Sequence, residues 1–390
     1  VAHVWAYLEG LTRHPHRGTA TAQEAAAAKE CAGWLAAMGY RVDVEPFQTP
    51  VDTLYFGPAV VLTGFAVALG VGRYLPWAGI LLCLLFLAPL VGELLGSSKL
   101  DLDWVLPRYR SQNVVAWGPS SGQPERTVVI SGHYDTQRGT LLFHPRVAPY
   151  IQPYFTFAYV LLALAPVALV LRWALPAASW LNLLLAVLTG LMLANVLFLL
   201  ACRFSGGGHI NGANDNGTGA ALTLALAKRF AGEAPNGTQF VFVLTGAEEV
   251  GTRGMKAFLR AHAFDLATTR FVNLDNLGGG QIHYLQGEGM LSVQRYGAEL
   301  LGLAELMARE TGGKIRPKGN LLLPTDGLIP ARAGYQAITF LAFLADGSLP
   351  NYHWHTDTLD RVDRQLVEFA EQLLSEYVER VAGGTVSAGV

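Results

Sequence analysis

The chain has 390 residues, enough for two or three domains and a core that needs no covalent staples. Only 15% of residues are charged and 51% are hydrophobic, which excludes intrinsic disorder and argues against an entirely soluble globule. Lys+Arg 28 against Asp+Glu 30 leaves a net charge of −2, so no basic footprint for nucleic acid exists. The three cysteines, Cys31, Cys83 and Cys202, are too far apart for a thiolate zinc site or a disulfide framework.

In chain order, residues 21–38 (TAQEAAAAKECAGWLAAM) predict an Ala-rich helix stopped by Gly39. Apolar runs then predict four membrane spans at about 55–72, 76–95, 154–171 and 179–201, each near the ~20 residues that cross a ~30 Å hydrocarbon core. They pair as two transmembrane helical hairpins, 54–96 and 153–203, whose charged residues are Arg73, Glu93, Arg172 and Arg203. Tyr154, Trp173 and Trp180 near span ends suit the membrane interface. The first span is the weakest, with Gly57, Pro58, Gly64, Gly70 and Gly72 in it.

Each hairpin enters and leaves on one side, so 1–53, 97–152 and 204–390 share one face of the bilayer and are expected to fold as one domain. Strands are expected at 127–132, 239–245, 270–275 and 337–344, and helices at 217–230, 252–262, 294–310 and 363–381. That alternation predicts an α/β fold: a mixed, largely parallel sheet with helices on both faces.

The chemistry collects where those strands end. TVVISG leads into His133-Tyr134-Asp135, where residues two apart point the same way, so Asp135 can hold one ring nitrogen of His133 while the other binds a metal. A tight turn, Gly212-Ala-Asn-Asp215-Asn-Gly-Thr-Gly219, follows the second hairpin. QFVFVLT leads into Gly246-Ala-Glu248-Glu249, RFVN into Leu274-Asp275, and AITFLAFL into Asn351-Tyr352-His353-Trp354-His355-Thr356-Asp357. Ligands of open α/β sheets bind outside the carboxyl ends of the strands. Histidines and carboxylates without a thiolate suit a pair of zinc ions, or cobalt or manganese.

In this order the motifs SGHYDT, GANDNGTG, AEEVG, NLDNLG and YHWHTDT resemble the co-catalytic zinc aminopeptidase family, which includes aminopeptidase S, aminopeptidase Y and glutamate carboxypeptidase. The opening TRHPHRGTATAQEAAA also looks like the family's leading segment. The resemblance implies a zinc-exopeptidase-like fold with two divalent metal ions, most simply Zn2+. It makes His133, Asp215, Glu249, Asp275 and His353 the ligands. Asp215 would bridge both ions, with His133 and Asp275 on one and Glu249 and His353 on the other. Glu248 would be the general base for a water between the two metals, Asp135 the partner of His133, and Tyr352 a candidate oxyanion donor. His355 could be claimed as the late ligand instead, but the four-residue spacing to Asp357 and the preceding Tyr352 favour His353.

The expected activity is that of a membrane-anchored metallo-exopeptidase, an aminopeptidase acting on peptide substrates. The alternatives are a carboxypeptidase or other amidohydrolase on the same metal centre, or a non-catalytic membrane receptor or scaffold that keeps the fold. Two motifs are decoys. Gly118-Pro-Ser120-Ser-Gly122 lacks the helix that a nucleophile elbow needs after its serine, and His14-Pro-His16 reads as a solvated turn. The segment 97–152 carries Lys99, Arg108, Arg110, Arg126, Arg138 and Arg146, against Arg73 and Arg172 in the two short connections. The positive-inside rule then places the catalytic domain on the cytoplasmic face.

Overall fold

The computed structural model describes residues 3–94, 106–119, 124–232, 237–289, 292–321 and 323–383, so Ser120 of the G-x-S-x-G run lies outside the described residues. The chain forms two compact units, one of Val1–Thr49, Tyr109–Arg138 and His209–Val390, the other of Pro50–Arg108 and Gly139–Gly208. In chain order the first elements are α1 (His3–Arg13), α2 (Ala22–Ala37), β1 (Arg41–Pro50), α3 (Thr53–Gly72) and α4 (Pro76–Leu94). Then come β2 (Arg108–Trp117), β3 (Arg126–His133), α5 (Ile151–Ala174), α6 (Trp180–Phe204), α7 (Gly219–Arg229) and β4 (Thr238–Thr245). The remainder is α8 (Arg253–Ala261), β5 (Thr269–Leu274), β6 (Gln281–Glu288), β7 (Gln294–Arg295), α9 (Ala298–Glu310), β8 (Ile315–Leu321), α10 (Leu328–Arg332), β9 (Gln336–Phe343) and α11 (Arg364–Gly383).

The first unit is a mixed α/β fold. Its described residues carry a nine-stranded sheet in the order β1-β2-β4-β3-β5-β9-β6-β7, with β8 on β6. The central strands β4, β3, β5 and β9 are mutually parallel, while β2 pairs antiparallel with β4 and β6 antiparallel with β9. The central strands are apolar at nearly every position because both faces are covered. Val128 and Ile130 of β3 enter one core with Phe240, Phe242 and Val272, which α1, α2, α7, α9 and α11 cover. Val129 between them enters the other core with Val241, Val243 and Phe271, against Met255 and Phe258 of α8.

Local chemistry starts and stops the elements. The Thr21 hydroxyl accepts from Glu24 N at 3.2 Å while the Glu24 carboxylate reaches back to Ala20 N at 2.8 Å, so α2 opens on a reciprocal cap. Gly39, at φ +91°, ends it. At the mouth of the sheet, Gly219 brings α7 against β5: a Cβ there would sit 2.2 Å from Leu274 O and 2.4 Å from Asn216 Oδ1.

The second unit consists of the apolar helices α3 to α6. Three of them, α3, α5 with its preceding turn, and α6, are long and apolar enough to cross a membrane. The remaining expected span, 76–95, corresponds to α4, whose apolar stretch among the described residues is Pro76–Gly92. Two of the glycines that weakened the first span, Gly64 and Gly72, are contact points: a Cβ on Gly64 would meet the Phe86 ring at 2.4 Å. A Cβ on Gly79 of α4 would meet Ala68 O at 2.6 Å, so α3 and α4 approach backbone to backbone. Asp52 at the start of α3 pairs with Arg203 at the end of α6 at 2.5 Å, and Tyr55 bonds Thr140 nearby. Gly139 N donates to Gly208 O at 3.0 Å, so the unit's entry and exit lie together at one end.

Four strands differ from the sequence expectation. β1, β6 and β8 arise where none was assigned, because β1 and β8 are part-exposed strands with polar alternation and Pro46 or Pro317 within them. The expected helix at 294–310 begins only at Ala298, since Gln294 and Arg295 pair as β7 with β6. The close approach at Gly219 gives a test: Gly219→Ala should destabilise the chain by about 1–3 kcal/mol, as overpacking against backbone does. A thermal melting temperature equal to the wild type's would contradict this packing.

Candidate metal centre

Four parallel strands deliver the site. His133 is the last residue of β3, paired with Thr245 at the end of β4; Glu248 and Glu249 lie in the turn after β4; Asp275 directly follows β5; and His353 lies in the turns after β9. Asp215 comes from the turn that opens into α7, and its peptide bond to Asn216 is cis.

Asp215 lies between the two imidazoles. Its Oδ1 is 3.4 Å from His133 Nε2, and its Oδ2 is 3.0 Å from His353 Nε2. His133 Nε2 is also 3.6 Å from Asp275 Oδ1 and 3.9 Å from Glu248 Oε2, and His353 Nε2 is 3.0 Å from Glu249 Oε2. Two groups of side chains, His133–Asp215–Asp275 and Asp215–Glu249–His353, bring their ligand atoms within 4.8 Å of one another. They share Asp215. His355 lies exposed beside Trp354, outside both groups. The Tyr352 ring stacks on His353 with centroids 3.7 Å apart.

Backbone donors hold this constellation. Asp135 Oδ1 accepts from Glu248 N at 3.0 Å, and its Oδ2 accepts from Glu249 N at 3.3 Å and from the Thr19 hydroxyl at 2.8 Å. The His133 Nδ1 lies 3.2 Å from the Asp135 carbonyl and 3.5 Å from its carboxylate, so the main-chain oxygen is the nearer partner of the ring. Asp357 clasps the Asp215 turn, Oδ1 accepting from Asn214 N at 2.7 Å and Oδ2 from Asp215 N at 2.9 Å.

Burial and crowding set the charges. Burial drives the Glu248 carboxyl well above its usual range, helped by Asp326, Glu249 and Asp275 and opposed by His133. Burial likewise pushes Glu249, Asp326 and Asp357 up to about 7. Burial by itself would lower the imidazoles, but Glu249 and Asp215 raise His353 to about 10, and Glu248 with Asp135, Asp215 and Asp275 holds His133 well above 6.5. Asp215, flanked by both rings, stays below the carboxylate range despite its burial. The cluster therefore demands positive charge.

Three residues here carry no assignment from sequence. Arg17 is fully buried, and its guanidinium donates to the carbonyls of Tyr134 at 2.6 Å, Leu11 at 3.2 Å, Asn211 at 2.8 Å and Gly212 at 2.7 Å, lacing the His133 and Asp215 turns together. Asp326 accepts from the Thr245 hydroxyl, and Gln137 donates to Glu249. Their partners are more than 80 residues away or on another turn, with no local pattern to flag them; only Arg17 falls in a segment the sequence marked. His14 and His16 are not a solvated turn: His14 Nε2 meets Glu30 at 2.9 Å, and His16 stacks on His209.

Residues 197–378 match the sequence profile of peptidase family M28. That match covers a little under half of the chain and the whole of the segment from the end of α6 to α11. Asp215, Glu248, Glu249, Asp275 and His353 fall within the M28 match, and His133 lies before it. No curated protein matches the chain in sequence. Among solved structures, the zinc aminopeptidase BSAP from Bacillus subtilis is similar at 13% identity and TM-score 0.57, covering 96% of this chain and 94% of that one. The aminopeptidase from Aneurinibacillus sp. strain AM-1 is similar at 15% identity and TM-score 0.55, with 97% and 93% covered. Porphyromonas gingivalis glutaminyl cyclase is similar at 11% identity and TM-score 0.58, with 97% of each chain covered. At these identities the likeness is one of fold. With the M28 match it agrees with the resemblance to co-catalytic zinc aminopeptidases, and the chain is by class a zinc-dependent metallopeptidase.

The Asp357 clasp is testable. Asp357→Ala strips the acceptors from two buried N–H groups at about 1–3 kcal/mol each, so urea unfolding should show a loss of about 2 kcal/mol or more. Asp357→Asn, which keeps one acceptor oxygen, should lose about half as much. Wild-type stability in Asp357→Ala would contradict the clasp.

Proposed function

We propose that the M28 unit is a two-metal exopeptidase, most simply an aminopeptidase, and that the apolar unit anchors it in a bilayer. The observation that carries the metal reading is Asp215, whose two oxygens face two different imidazoles. The donor set fits divalent zinc, cobalt or manganese, being imidazole and carboxylate throughout. Glu249 Oε1, buried without a hydrogen-bond partner among the described residues, is an acceptor suited to a cation. His133 and Asp275 would hold one ion, Glu249 and His353 the other, with Asp215 between them. Bound there, the cations supply Lewis acidity that acidifies water and stabilises charge developing on an amide oxygen.

The chain's own residues do the rest. Glu248, which belongs to neither ligand group, is the general base: its buried carboxyl favours taking a proton and can pass it to the leaving amine. Asp135 fixes Glu248 and Glu249 by their N–H groups and helps orient His133. Tyr352, packed on His353, would donate its hydroxyl to the oxyanion.

The bilayer reading is supported by the outward apolar residues of the second unit, such as Leu81 and Leu84 of α4, Val160, Leu164 and Val167 of α5, and Leu183, Val187 and Leu191 of α6. An uncovered surface of this kind on a soluble protein would drive association. The Lys/Arg bias of the segment 97–152 supports a cytoplasmic face for the M28 unit.

Incubation with a free-amine peptide tests the activity. Release of the first amino acid supports it, whereas loss of ammonia from an N-terminal glutamine without residue release would assign cyclisation instead. Glu248→Gln should cut turnover by about 10²-fold or more while metal content stays at the wild-type level, because a proton-transfer group is lost and no ligand is. An active Glu248→Gln enzyme would remove the base from Glu248, and Glu249→Gln should differ by losing metal as well. Elemental analysis also separates the histidines: His353→Ala should lose metal and His355→Ala keep it, and the reverse would shift the motif by two residues.

A further inference from the structure

We propose that Gln137 is a positioning residue that sets the affinity of the metal site built on Glu249. The inference rests on the ligand reading above. The Gln137 amide has one orientation, because its Oε1 accepts from Arg138 N at 2.9 Å and so turns Nε2 towards Glu249. Nε2 donates to the Glu249 carbonyl at 3.0 Å and to Glu249 Oε2 at 3.2 Å. One donor therefore fixes both the backbone and the side chain of the same residue.

The consequence is a carboxylate fixed in place before an ion arrives. Oε2 is tied to Gln137 and lies 3.0 Å from His353 Nε2, the other proposed ligand atom, while Oε1 is buried without a hydrogen-bond partner among the described residues. A carboxylate held in this way presents its oxygens without having to be ordered by the arriving ion. Because the donor is a neutral amide, it leaves the negative charge at the site intact. Gln137 is itself held: it is buried, and its carbonyl accepts from Ile210 N at 3.0 Å. The other ligand group has a separate tie, Asn276 Nδ2 to Asp275 Oδ1 at 2.9 Å, so the effect of Gln137 is confined to one site.

The test is zinc titration of the metal-stripped, detergent-solubilised full chain against a competing chromophoric chelator. Gln137→Leu should weaken one of two zinc-binding steps by about 10–100-fold, the usual cost of losing an outer partner of a ligand. The loss should persist in a His133→Ala background, which leaves the Glu249 site, and vanish in a His353→Ala background. Gln137→Met is the second variant, and circular dichroism should show both folded without metal. Unchanged affinities, or an equal fall at both sites, in these folded variants would overturn the proposal. Uptake of fewer than two ions by the wild type would instead contradict the ligand reading itself.

Discussion

Asp135, Asp215, Glu248, Glu249, Asp275, Asp326 and Asp357 are brought to the same end of one sheet, and their repulsion governs the structure around them. Such a group persists in a protein interior only if donors and positive charge reach it. Backbone N–H groups satisfy part of the demand: two on Asp135 and two on Asp357. Burial lowers the pKa of the buried Arg17 guanidinium to about 10, and Asp357, Asp135 and Asp215 oppose that shift. The two imidazoles supply the rest, the surrounding carboxylates raising both above the usual histidine range. On the proposed reading, divalent cations take over that charge.

The same constraint explains the fold at the site. Four parallel strands end together, so short turns can aim His133, Glu248, Glu249 and Asp275 at one point without long flexible connections. Gly219 lets α7 close on β5, which carries Asp215 within reach of both histidines. Small residues serve the apolar unit in a parallel way, where Gly64 and Gly79 allow α3 and α4 to touch.

Much of this was legible in the sequence because it is local. The apolar strand cores at 127–132, 239–245, 270–275 and 337–344 and the polar residues just beyond them are read within a few positions of each other. Part-exposed strands were not legible: β8 carries Pro317, Lys318 and Gly319, which read as loop until β6 is known to lie beside them. Arg17 was hidden because its acceptors at Tyr134 and Gly212 are 117 and 195 residues away, and main-chain carbonyls leave no mark in a sequence.

On the proposed function, this buried carboxylate and imidazole cluster is a two-cation centre on which hydrolysis depends. Elemental analysis of the purified full chain, run beside hydrolysis of an aminoacyl amide before and after metal stripping, probes that dependence. About two divalent ions per chain are expected, with activity lost on stripping and regained as both are restored. Full activity in a metal-free chain, or with a single bound ion, would contradict it.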